Sequence, residues 1–292
     1  MSIASAQGTA SITEIRRDNP GLIAERLRER PRFPGFAGID KLLVIAADHP
    51  ARGSLSVGGD ARAMADRHDL LRRIQIAVSR PGVHGFLGTA DLIEELALLG
   101  ALDHKLVLGS MNRGGIAGTT FELDDRFSGY DARGVADAGL DGGKMLLRID
   151  PDDAASVATM EACARAVDEL AERGLIALVE PFWSTRVEGK VRNDLTPDAV
   201  IRSITIASGL GRTSAYTWLK LPAVEEMDRV LAATTMPTLL LGGEVGPGDP
   251  SDQPWRAAAA APGVAGLAVG RSLLYPPDGD VAAAVDEAVG LL

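Results

Sequence analysis

Short, nearly continuous apolar runs alternate along the chain with longer segments whose apolar residues recur every three or four positions. The runs are KLLVIAAD (41–48), HGFLGT (84–89), KLVLGS (105–110), GKMLLRID (143–150), LIALVEPF (175–182), YTWLKLP (216–222), PTLLLGGE (237–244) and GLAVGRS (266–272). Each has the length of a strand. The periodic segments read as helices, the clearest being DARAMADRHDLLRRIQIAVSR, ADLIEELALLG, PDDAASVATMEACARAVDELAERG, TPDAVIRSITIASG, VEEMDRVLAATT and the closing DVAAAVDEAVGLL. Strands that are apolar throughout are buried on both faces, as parallel strands between helices are. Eight of them predict a (β/α)8 TIM barrel, with the weakest helices after the third and seventh strands. An open doubly wound sheet is the alternative, yet no glycine-rich dinucleotide fingerprint follows the first strand. Residues 1–36, a polar start followed by the charged helical stretch DNPGLIAERLRERPRF, form a short N-terminal extension ahead of a barrel domain over 37–292.

Composition narrows the partners. A net charge of -10 repels nucleic acid, and an aromatic content of 4% leaves too few rings for base stacking. No apolar stretch reaches the roughly 18 residues of a membrane span; AAAAAPGVAGLAVG is broken by Pro262 and its glycines. The N-terminal segment lacks the basic start and apolar core of a secretory signal. The lone cysteine, Cys163, lies in an amphipathic helical stretch, which predicts a buried helix position and fits a reducing compartment. The chain reads as a cytoplasmic globular protein, expected to be a homo-oligomer, with no membrane or nucleic-acid partner.

In such a barrel the chemistry gathers at the C-terminal ends of the strands. There stand Asp48 and His49 after the first, Asn112 and Arg113 after the third, and Lys144, Arg148 and Asp150 in the fourth. Glu180 lies in the fifth, Lys220 in the sixth, Glu244 after the seventh and Arg271 after the eighth. Any one of these can be a helix cap, a snorkelling chain or a salt-bridge partner. Asp150 and Asp152 precede a helical stretch and read as N-caps. Arg148 reads as a salt-bridge partner within the barrel and is grouped with the substrate-binding positions. The joint pattern says more, because two lysines and two carboxylates would share one interior where unpaired charge is costly. Alternation along the strand puts Lys220 on one face with Trp218 and Tyr216, Glu180 with Leu178 and Ile176, and Lys144 with Leu146 and Arg148.

A buried lysine suits Schiff-base chemistry. Desolvation and a neighbouring cation favour the neutral amine, which attacks a carbonyl, and Lys144 can supply that cation. Glu180 or Asp48 can then move protons through carbinolamine, imine and enamine, while the protonated imine accepts the electrons of a breaking C–C bond. This chemistry needs no cofactor and no metal. Gly242, Gly243, Gly270 and Arg271 offer a phosphate site in the loops after strands seven and eight, where such barrels often bind phosphate. His49 joins them as a substrate-binding candidate, and the expected partner is a phosphorylated small molecule.

From VIAADHPARG to AVGRSLLYP these residues resemble the class I aldolases of the deoxyribose-phosphate, tagatose-bisphosphate and archaeal-type fructose-bisphosphate group. The likeness rests on the strand-one Asp-His, GGKMLLRID, LVEPF, WLKLP and the glycine–arginine segment of strand eight. It implies that Lys220 forms the Schiff base. Similarity to the tagatose-bisphosphate branch implies Lys144 as electrostatic partner and Glu180 as proton shuttle, with Asp48 as a substrate-hydroxyl or proton-transfer residue. The chain also looks similar to an actinobacterial branch associated with inositol breakdown. That implies 2-deoxy-5-keto-gluconate 6-phosphate as substrate, cleaved to dihydroxyacetone phosphate and malonate semialdehyde. One departure stands out: LGGE ends strand seven where several aldolases carry serines, and Glu244 beside a phosphate would repel it.

Two other readings compete. A metal-dependent aldolase or isomerase would need a cluster of His, Asp or Glu at strand ends. Of the four histidines only His49 falls there, which leaves Asp48, Glu180 and Glu244 for a magnesium site. A non-catalytic sugar-phosphate-binding barrel would keep the phosphate loops and have no use for a reactive amine.

Overall fold

The computed structural model describes residues 6–112, 115–243 and 254–292, so Arg113 and Glu244 lie outside the described residues. The strands are β1 (Leu42–Ala46), β2 (Gly85–Gly88), β3 (Leu106–Ser110), β4 (Gly142–Ile149), β5 (Ile176–Val187), β6 (Lys190–Asp194), β7 (Thr217–Pro222), β8 (Thr238–Leu241) and β9 (Val264–Val269). All but β6 run parallel, and the order β4-β3-β2-β1-β9-β8-β7-β5 closes on itself through β4 and β5. The result is a (β/α)8 barrel in which each of the eight apolar runs supplies one strand.

The strand faces divide as alternation requires. Leu42, Val44, Leu106, Leu108, Ile176, Leu178 and Leu239 fill the barrel interior, with Trp218 packed against them. Leu43, Ile45, Val107, Val179, Leu219, Leu221 and Leu267 face the helices. Tyr216 does not follow Trp218 inward: it precedes β7, where strand alternation has not begun, and is 41% exposed.

The helices are α1 (Ala6–Asp18), α2 (Gly21–Glu29), α3 (Arg67–Ser79), α4 (Ala90–Leu98), α5 (Ala132–Asp137), α6 (Ala155–Ala171), α7 (Pro197–Ser208), α8 (Met227–Leu231), α9 (Pro254–Ala258), α10 (Arg271–Leu274) and α11 (Val281–Gly290). After the third and seventh barrel strands the described residues form the short α5 and α9, where the periodic signal is weakest. Side chains of Asp66, Asp131, Thr196 and Asp280 cap α3, α5, α7 and α11, each accepting from a backbone N–H of the first turn. Asp150 and Asp152 are not caps, because α6 starts later than the sequence suggests; Asp150 instead accepts from the Asp152 N–H in a local turn. Cys163 is buried in α6, and burial pushes its thiol up to about 12. No helix among the described residues is long and apolar enough to cross a membrane.

The extension closes the N-terminal end of the barrel. Its polar start is itself helical, forming α1. Arg30, only 4% exposed, donates to the carbonyls of Leu102, Lys105 and Gly139 at 3.0, 2.9 and 3.2 Å, near the starts of β3 and β4. Phe33 packs against the interior, and the Phe36 ring lies 5.4 Å from that of Trp218. At the opposite end β5 outruns the barrel. It turns at Glu188 and Gly189, with φ of 52° and 76°, into the antiparallel β6. Positive φ at both turn residues is the hairpin geometry that matches strand twist.

Candidate active site

Four ionisable side chains, one just past the end of β1 and one each within β4, β5 and β7, meet inside the C-terminal mouth of the barrel. Lys220 Nζ donates to Glu180 Oε1 at 2.7 Å. Lys144 Nζ contacts the other oxygen of Glu180 and lies 3.3 Å from Asp48 Oδ2. Ser110 Oγ donates to the same Asp48 oxygen at 3.0 Å. Strand register makes this possible. Ser110 pairs with Lys144, Leu146 with Glu180, and Leu178 with Trp218, so the inward residues stand at neighbouring heights.

All four groups are buried, Glu180 most exposed at 6%. An isolated charge there would cost several kcal/mol. The order Asp48, Lys144, Glu180, Lys220 alternates in sign, so each charge has an opposite neighbour. Glu180 serves both lysines, and its contact with Lys220 is short enough to pass a proton.

A further set of contacts holds this cluster. The Asn112 amide bridges β3 and β4, donating to Leu146 O at 2.6 Å, accepting from Leu146 N at 2.6 Å and donating to Asp125 O at 3.1 Å. Arg148 lies on the same face of β4 as Lys144, and its Nε and Nη2 donate to Asp125 at 2.8 and 2.5 Å. Arg148 is thus engaged as an ion-pair partner within the barrel. Ser110 and Asp125 are the polar residues of this region that sequence reasoning missed. Ser110 could have been found, since it shares parity with the interior Leu106 and Leu108. Asp125 sits in an irregular loop without a periodic signal.

The phosphate candidates gather at the ends of β1, β8 and β9. A Cβ on Gly270 would stand 1.9 Å from Ala46 O, so only glycine lets the end of β9 approach β1 this closely. The same Cβ position lies 3.4 Å from His49 Cε1, which places His49 beside it. Arg271 is largely buried, and its Nη2 donates to Gly243 O at 3.1 Å. Gly243 has φ 68°, and the neighbouring Gly242 lies against Val269. Among the described residues no three His, Cys, Asp or Glu side chains gather as a metal site would require.

A model of the Cgl0159-like family matches residues 40–289. The crystal structure of Cgl0159 from Corynebacterium glutamicum is 52% identical, with 100% of this chain and 98% of that chain covered and a TM-score of 0.95. A Schiff-base-forming fructose-1,6-bisphosphate aldolase is 19% identical, covering 92% of this chain and 99% of that one, with a TM-score of 0.64. An archaeal fructose-1,6-bisphosphate aldolase, its catalytic lysine bound to the carbinolamine intermediate, is 19% identical over 92% and 98% of the two chains, with a TM-score of 0.61. At such identities the likeness to the two aldolases is one of fold. No curated protein matches the chain.

Proposed function

The chain belongs to the Cgl0159-like family, and from that premise and the site's geometry we propose that it is a class I aldolase. As an aldehyde-lyase of the cytoplasm it would cleave a phosphorylated keto sugar or sugar acid through a Schiff base on Lys220. The observation that carries this reading is the buried contact of Lys220 with Glu180, itself bound to Lys144, in the mouth of the barrel. Solved structures of like fold include aldolases described as Schiff-base forming, which supports it.

The steps follow from the contacts. With its proton passed to Glu180, Lys220 adds to the substrate ketone, and the former carbonyl oxygen takes a proton from that carboxyl. Loss of water leaves a protonated imine. Asp48 takes the proton of the β-hydroxyl, the bond between the α and β carbons breaks, and the electron pair enters the iminium to give an enamine. An aldehyde departs. Protonation of the enamine carbon and addition of water release the ketone and restore Lys220. Lys144 remains charged and offsets Asp48 and Glu180 throughout. Gly242, Gly243, Gly270, Arg271 and His49 hold the substrate at its phosphate end.

The resemblance in sequence suggests 2-deoxy-5-keto-gluconate 6-phosphate. A panel of ketose and aldol phosphates containing it, reduced with borohydride and mapped by mass, tests the reading. An adduct on Lys220 with turnover of the same compound is the expected result. Tight binding of a sugar phosphate with neither adduct nor turnover would favour a non-catalytic barrel.

A further inference from the structure

The strand β6 ends the sheet: it pairs with β5 along one edge, and no described strand covers the other. Hairpin geometry tells which backbone groups face that edge. In a hairpin closed by two residues, the pair flanking the turn exchanges hydrogen bonds, and bonded and non-bonded pairs then alternate. Val187–Lys190, Thr185–Arg192 and Trp183–Asp194 are therefore bonded pairs, whereas Arg186–Val191 and Ser184–Asn193 are not. The 2.8 Å contact from Ser184 Oγ to the Asn193 amide oxygen fits the closer side chains of a non-bonded pair. The N–H and C=O of Val191 and Asn193 accordingly point away from β5, toward the open edge. Lys190, Arg192, Asn193 and Asp194 are exposed there, and Val187 and Leu195, 52% and 51% exposed, flank the strand.

We infer that this edge docks on a second copy of the chain, with the two β6 strands antiparallel about a two-fold axis at Asn193. The outward groups permit three such self-pairings centred between Val191 and Asn193, and the one centred on Val191 sets Lys190 of each copy opposite Arg192 of the other, a like-charge pair. One centred on Arg192 sets the two arginines directly opposite each other, which is repulsive. The one centred on Asn193 sets Arg192 of each copy opposite Asp194 of the other and brings Val191 toward Leu195. Charge complementarity selects this register. The product is a continuous four-stranded ribbon, β5 and β6 of one copy followed by β6 and β5 of its partner, in which the edge of each β6 is paired. Copies so joined meet at the rims of their mouths. The inference stands independently of the aldolase reading.

Sedimentation velocity of the full chain over the micromolar range tests it. The unaltered chain should sediment as a dimer or a higher even-numbered assembly. Asn193→Pro removes an outward N–H without breaking a backbone bond to β5, although it gives up the Ser184 contact, and should halve the mass. Arg192→Asp should weaken association at least tenfold, and adding Asp194→Arg should restore it. The double variant keeps the test decisive if the proline disturbs folding. A chain that is monomeric throughout, or a mass that ignores both Asn193→Pro and Arg192→Asp, overturns the inference.

Discussion

Lys220 donates to Glu180 at 2.7 Å between the neighbouring strands β7 and β5, and the second oxygen of that carboxylate meets Lys144. The sequence pattern suggests two lysines acting directly on each other. The structure sets a carboxylate between them. A proton leaving Lys220 would therefore have an acceptor in place, with Lys144 held against that same carboxylate and Asp48.

Lys220→Arg tests the nucleophile. A guanidinium keeps the charge opposite Glu180 and remains protonated, so it offers no usable electron pair. Turnover and borohydride trapping should both vanish while the fold is kept, as circular dichroism would check. Mapping the adduct of the unaltered chain guards against exchanged roles: a label on Lys144 with Lys220 unmodified would defeat the assignment.

Lys144→Met leaves Asp48 and Glu180 with Lys220 as the remaining cation of the cluster. Two carboxylates then favour the ammonium form of the nucleophile. The pH–rate profile should move to higher pH, with activity near neutrality falling by about two orders of magnitude. Trapping on Lys220 should persist in alkaline solution. A profile that keeps its position while only its height falls would make Lys144 a structural ion-pair partner.

The barrel was legible because each parallel strand is apolar on both faces, and parity then turned Lys220, Glu180 and Lys144 inward. What stayed hidden depends on the third dimension. Whether Glu180 lies between the lysines is set by the stagger of the strands, which no local pattern encodes. The hairpin escaped because β5 leaves its continuous apolar run after Phe182 and β6 is exposed along most of its length, so neither segment carries the apolar run that marks the barrel strands. Its one signal was Glu188–Gly189 between the alternating WSTRV and KVRND. Asn112 was visible as a strand-end residue, but its partner Leu146 stands 34 positions away.

Arg271→Ala bears on the phosphate end. Arg271 already donates to Gly243 O at 3.1 Å, which ties the end of β9 to the loop after β8. If it also binds the substrate phosphate, its loss should weaken phosphorylated substrate by about 1.5 to 3 kcal/mol, the scale of a charge-assisted hydrogen bond. The unphosphorylated analogue separates the two roles. Equal weakening of both compounds would mean that Arg271 only braces the loops.

His84, at the entry to β2, provides a test of stability against pH. Its Nδ1 accepts the Leu43 N–H at 3.2 Å, which requires that nitrogen to be unprotonated. Burial, reinforced by the nearby Lys105 ammonium, holds its pKa below the ordinary 6.5. The unfolded chain therefore binds a proton more readily than the folded one, and the sign follows from that difference. The contribution of His84 is fully present above about pH 6.5 and is lost as the pH falls through the folded value. Asparagine places an oxygen near Nδ1 and does not titrate. His84→Asn should thus flatten the loss of melting temperature between pH 7.5 and pH 5.5 relative to the unaltered chain, the other titrating groups cancelling in the comparison. Parallel melting curves for the two proteins across that window would show that His84 is protonated as easily in the fold as outside it.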